Sequence, residues 1–175
     1  YSTASLKYQG TNMPFDIDVP EDLGDKNLSG FFKGWTWHDD PESPVEINIK
    51  RGTHLAPWAA TLFGAYALWL MEVRGKEVFL NYEENTYLGS FLERIGLPQL
   101  LGYKVNSNQH DTQRICPLQR IRNSKEISPF VSSVMELLEL EDTEVADAVK
   151  YSLIELLRNV VQPSRSRIGG IACAV

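Results

Sequence analysis

Cysteine is nearly absent. Cys116 and Cys173 are the only two in 175 residues and form no C-x-x-C pair, which argues against a disulfide framework and a thiolate metal knuckle. Both sit in apolar contexts and are expected as reduced, buried thiols, in keeping with a cytoplasmic protein. Positive charge is also short: 17 Lys and Arg against 23 Asp and Glu leave a formal charge of -6. That balance lacks the basic footprint of a phosphate-backbone binder, so nucleic acid is not an expected partner. No G-x-x-x-x-G-K-[ST] loop and no G-x-G-x-x-G run supplies a phosphate cradle. No signal peptide opens the chain; it starts at Tyr1 with its first methionine at Met13, so the amino terminus is expected to be processed or trimmed. From Leu55 to Met71 seventeen residues pass without a charge, at the short edge of a spanning helix. Ala, Gly, Thr and Tyr dilute it, and Arg51 and Arg74 bracket it evenly. A buried helix packed on a sheet is therefore expected, not a membrane span.

What is present suits a globular α/β chain, since 43% hydrophobic content is enough for a core. Residues 1–44 are turn-rich, with Pro14, Pro20, Pro41 and Pro44, and one extended piece is expected around "FFKGWTW" (31–37). "VEINI" (45–49) alternates as a strand, and "RGTH" follows as a turn with Thr53 as candidate helix cap. The apolar helix then runs to about Arg74. A strand is expected over 77–82, a helix over "TYLGSFLERIGL" ended by Gly96, and a strand over "RICPLQRI" (114–121). Strand, helix, strand, helix in about fifty residues marks a parallel or mixed sheet. Two helices should follow, one starting at Pro129 and one opened by Thr143 and reaching Gln162. The acidic run Glu136, Glu139, Glu141, Asp142, Glu144 and Asp147 reads as a solvated face.

On the last helix Val145, Val149, Leu153, Leu156 and Val160 recur near a spacing of four, and that stripe, widened by Ile154, Leu157 and Val161, is expected to face a core. Glu155 and Asn159 lie elsewhere on the helix, one turn apart, joined by Ser152 and Gln162. A carboxylate can take a proton from water, and an amide oxygen one turn away can ligate a hard cation such as Mg²⁺ that bridges phosphates. The plain alternative is the polar surface of an amphipathic helix. Other candidates are weaker in pattern: His38 with Asp39 and Asp40, with His54 and His110 in other turns, does not make a convergent metal set. Trp58 and Trp69 are expected in the core, Trp35 and Trp37 could line a pocket, and "SRSR" (164–167) reads as a polar turn.

The order of the surroundings adds to the Glu155 and Asn159 pair: "ELLRNVVQ" closes a helix, Pro163 and Ser164 stop it, "RSRIGG" turns, and "IACAV" starts a strand. This run, over about 33 residues (143–175), resembles the N box of the GHKL ATP-binding superfamily, which includes DNA gyrase, histidine kinases and anti-sigma kinases. The resemblance implies that Glu155 is the general base in an ATPase branch and that Asn159 binds the nucleotide's Mg²⁺. Pro163 departs from the His or Ala common there, and the D-x-G-x-G and later glycine boxes do not occur before Val175. Upstream, "VEINI...LFGAYALWL...KEVFLNY...SFLERIGL" resembles STAS and STAS-like domains, small α/β regulatory modules. In their anti-anti-sigma branch a Ser at a helix start is phosphorylated; Thr53 is a loose match.

Together these resemblances imply an α/β architecture: an irregular segment (1–44), a STAS-like mixed sheet with packed helices (45–123), a linker helix (124–142), and the truncated first helix and strand of a GHKL-type α/β-sandwich domain (143–175). The expected function is that of a regulatory or signalling fragment whose parent binds ATP and Mg²⁺, as an ATPase or a protein kinase. The 175 residues themselves are expected to be inactive and to bind neither cofactor well. A protein partner or a homodimer is expected. The alternative is a complete, non-enzymatic STAS-like interaction module, which a paired strand over 168–175 within one compact domain would favour.

Overall fold

The computed structural model describes residues 15–19, 22–23, 43–51, 53–105, 114–161 and 166–175. In chain order they form β1 (Phe15–Asp18), β2 (Asp22–Leu23), β3 (Val45–Asn48), β4 (His54–Leu55), α1 (Pro57–Glu72), β5 (Val78–Asn81), α2 (Tyr87–Arg94), α3 (Leu97–Leu100), β6 (Cys116–Ile121), α4 (Ser124–Leu138), α5 (Thr143–Val161) and β7 (Gly170–Ala174). The architecture is α/β with a parallel sheet, and no described helix is long and apolar enough to cross a membrane. The expected piece at 31–37, the His38 group, His110, Trp35, Trp37, Gln162 and Pro163 lie outside the described residues.

Strands β1, β3 and β5 make a parallel sheet in the order β1-β3-β5, with Ile17 beside Ile47 and Ile47 beside Leu80. Alternation puts Ile17, Val45, Ile47, Val78 and Leu80 on the buried face, where α1 and α2 supply Phe63, Ala67 and Leu92. The other face carries Phe79 and a row of polar groups: Asn81 donates to Asn48 (2.9 Å), Asn48 to Asp16 (3.2 Å), and Lys50 pairs with Asp18 (3.0 Å). At the outer edge of β5 the Tyr103 hydroxyl donates to the Val78 carbonyl (2.9 Å) and accepts from the Leu80 amide (3.3 Å). That side chain occupies backbone groups which an exposed edge would offer to another chain. Burial pushes the Tyr103 phenol above its ordinary value.

A second core lies beyond this sheet, and the antiparallel strand pair β6–β7, whose strands are joined through α4 and α5, separates the two. The ladder is irregular between Cys116 and Gln119, around Pro117, which has no amide to donate. Across that irregularity Cys116 enters the second core while Leu118 enters the first. On β7, Ile171 and Cys173 pack toward α1, and Ala172 and Ala174 pack toward α4 and α5. Cys116 is buried, Cys173 half-buried, and both are free thiols.

Three local expectations are corrected. Thr53 does not cap α1: the cap residue is Ala56, which has no side-chain acceptor, and Pro57 starts the helix by needing no amide partner. Helix α4 starts at Ser124, five residues before Pro129. Asn123 accepts from the Lys125 amide (3.0 Å) and Glu126 accepts from the Arg122 amide (2.6 Å), a reciprocal cap strong enough to start the helix upstream of the proline. Helix α5 is capped by Asp142, whose carboxylate accepts from the Glu144 and Val145 amides (2.9 and 3.1 Å), rather than by Thr143.

Arg120 fastens the strand pair to α1. Its guanidinium makes a two-pronged pair with Glu72 and also donates to the carbonyls of Ile168 (2.6 Å) and Arg167 (2.9 Å). The hydrogen bond from Arg120 holds the Glu72 carboxyl below its ordinary value of 4.5. The pair's stabilisation is therefore full above pH 4.5 and fades as pH falls through the lower, folded-state value. Arg120→Met should cost about 2 kcal/mol at pH 7, below the fully buried range because Glu72 is partly exposed. Urea unfolding between pH 7 and pH 3 should show the gap between variant and parent narrowing in acid.

Candidate functional site

Helix α5 carries both residues singled out above. Its apolar side chains cover about half its circumference at 100° per residue. Leu153, Ile154, Leu157 and Val161 occupy one part of that arc and pack, half-buried, on α4 and the strand pair. Val145, Leu156 and Val160 occupy the rest and are exposed, Leu156 by 62%, and no residue of α5 is fully buried. The expected core stripe is thus corrected in part: Leu153, Ile154, Leu157 and Val161 face the core, whereas Val145, Leu156 and Val160 do not, because α4 meets the helix on the flank carrying Leu157 and Val161. An uncovered apolar strip remains.

Glu155 and Asn159 border that strip on the side away from α4, as one helical turn places them. Glu155 is half-exposed and accepts a hydrogen bond from Arg158 (2.7 Å). Asn159 is exposed, and its amide makes no hydrogen bond among the described residues. Ser152, on the same flank, donates to the Ala148 carbonyl (2.8 Å), which leaves its oxygen lone pairs outward. The structure therefore brings Glu155, Asn159 and Ser152 together on a solvent-facing surface. The acidic residues from Glu136 to Asp147 are all exposed, as a solvated face should be.

The turn between α5 and β7 explains the paired glycines of "RIGG". Gly169 has φ +74° and a side chain there would lie 2.6 Å from the Ile121 carbonyl oxygen. Gly170 passes so close to Val160 that a Cβ would sit 2.8 Å from its methyl group. Neither spacing nor composition reveals this contact; only the pairing of β7 with β6 creates it.

The arrangement offers one carboxylate as base and one amide as cation ligand. It does not include an adenine pocket or a ring of backbone amides for phosphates among the described residues. No group of three His, Cys, Asp or Glu side chains among the described residues is placed to hold a metal ion. His54 is exposed, and Trp58 and Trp69 are half-buried against the first core rather than enclosed. Thr53, weighed above as a cap, is instead buried at 6% exposure, and its hydroxyl lacks a hydrogen-bond partner among the described residues.

Because the fold makes so little use of Glu155 and Asn159, Glu155→Gln and Asn159→Ala should each change unfolding free energy by less than about 0.5 kcal/mol in urea titrations. A larger loss would assign them to the fold. Comparison with family models, with curated proteins and with solved structures finds no match to this chain.

Proposed function

We propose that this chain belongs to a regulatory protein whose parent binds ATP and Mg²⁺ through a GHKL-type unit, with a STAS-like module that regulates or recruits. The observation that carries the reading is the flank of α5: an amide at Asn159 with no hydrogen bond among the described residues, a carboxylate one turn away at Glu155, and an exposed apolar strip alongside. Val160 of that strip meets the Gly170 backbone, whereas Val145 and Leu156 stand open beside the two polar groups, and such a mixed face suits a surface that closes over a ligand.

In this reading Asn159 would hold Mg²⁺ through its amide oxygen, a neutral oxygen donor that a hard cation accepts beside phosphate oxygens and water. Glu155 withdraws a proton from the attacking water. For that, Arg158 must release its hydrogen bond, a change that costs little at an exposed pair. The adenine pocket and the amide cradle belong to the parent in this reading. The unit that carries the flank is drawn here from β6 through β7, because α4 and α5 share their core with those two strands.

A second reading, a non-enzymatic interaction module, has its own observation: β7 is paired with β6 and packs on α1 rather than projecting. In that reading the exposed strip on α5 and the outer edge of β7, which pairs with no described strand, are the surfaces a partner would cover.

The test is MgATP binding and turnover by the protein expressed from its complete reading frame. Asn159→Ala should weaken Mg²⁺-dependent binding about tenfold or more. Glu155→Gln should leave binding nearly intact and slow any hydrolysis by a factor of about 10²–10⁴. Binding unaffected by Asn159→Ala, or no MgATP binding at all, would favour the interaction module.

A further inference from the structure

A cleft of about 660 Å³ opens at the carboxyl ends of β3 and β5, far along the chain from Glu155 and Asn159. The two strands are hydrogen-bonded to their ends, where the Ile49 amide donates to the Asn81 carbonyl (2.9 Å). The loops that leave them therefore converge. In open parallel sheets ligands bind beyond the carboxyl ends of the strands, among the loops that leave them. The β3 loop brings Arg51, Thr53 and His54 to the cleft, and the β5 loop brings Asn85 and Thr86.

Donors dominate this lining, and no carboxylate side chain of the described residues is part of it. Helix α2 starts here, with Thr86 as its cap: the hydroxyl accepts from the Gly89 amide (3.0 Å) and donates to the Glu83 carbonyl (2.7 Å). The Ser90 amide is taken by the Thr86 carbonyl (2.9 Å). The first two amides of the helix, at Tyr87 and Leu88, have no hydrogen-bond partner among the described residues. Those amides and the helix dipole favour an anion. Independently, Thr53 lines the same cleft with a buried hydroxyl that has no hydrogen-bond partner among the described residues. A buried hydroxyl without a partner is costly, and a ligand oxygen would supply the partner.

The rest of the lining is apolar: Leu55 and Leu88 are buried and Phe91 is half-buried. The volume lies in the range of small-molecule sites rather than that of a flat macromolecular surface. We infer that this cleft binds a small phosphomonoester, with the phosphate between Arg51, Thr53 and the start of α2 and the organic group against Leu55, Leu88 and Phe91. Arg51 supplies the charge-assisted hydrogen bonds and Thr53 reads a phosphate oxygen. Occupancy would tie the β3 and β5 loops together, and so couple a metabolite to the module that carries them.

The probes are inorganic phosphate and phenyl phosphate, titrated into the ¹⁵N-labelled full chain at constant ionic strength, with chloride as control. Both should shift the Tyr87 and Leu88 amide signals saturably, phenyl phosphate at lower concentration because its ring adds apolar contact. Arg51→Gln should weaken both about tenfold. Thr53→Val, which removes that hydroxyl at equal size, should weaken binding while leaving thermal stability equal or higher. Chloride should not saturate. Shifts that are linear, equal with chloride, or unchanged in both variants would overturn the inference. So would a large loss of stability in Thr53→Val, which would show that hydroxyl to be already engaged in the fold.

Discussion

The strand pair β6–β7 is the element on which the rest of the structure depends, and Arg120 is what fixes it. One face of the pair completes the core over the parallel sheet, and the other completes the core under α4 and α5. A two-stranded sheet is marginal alone. Here it gains stability from both sides and from a guanidinium that joins the end of α1 to the turn before β7. The irregularity at Pro117 lets one short strand serve both cores, because it changes which side chains point which way.

That arrangement has a consequence for α5. The strand pair and α4 cover only one flank of the helix, and Gly170 sets how closely its end approaches β7. The remaining flank presents a carboxylate, an amide and an apolar strip to solvent, a combination that packing alone does not require. The cleft at the carboxyl ends of β3 and β5 is built by different elements and stands on the other core. The proposed nucleotide chemistry and the proposed phosphomonoester site are therefore separable by substitution, although the strand pair and α1 connect the bodies that carry them.

Much of the first core was legible in the sequence. Strand β3, helix α1, strand β5 and helix α2 fall where alternation, an uncharged run and helical spacing place them, and Gly96 ends α2 in the left-handed conformation. Strand β1 was not found, although "FDIDV" alternates cleanly, because Pro14 and Pro20 bracket it and read as loop. Prolines at the ends of a strand leave its ladder intact. The start of α4 was misplaced because Pro129 outweighed the Asn123 and Glu126 cap. The face that α5 buries could not be derived from periodicity, since the apolar arc is wider than the surface available to cover it. Glu155 and Asn159 were legible as a pair with chemistry, but the cleft around Thr53 was not. Its residues come from two turns more than thirty positions apart, and only the pairing of β3 with β5 brings them together.

The most direct measurement on the central claim is paramagnetic broadening by Mn²⁺ in place of Mg²⁺, read in the NMR spectrum of the complete protein with ATP present. The account predicts that MnATP broadens the side-chain amide signals of Asn159 and the backbone signals around Glu155, and that Mn²⁺ alone at the same concentration does not. Broadening confined to the acidic stretch from Glu136 to Asp147, or centred on the cleft beside Thr53, would contradict it.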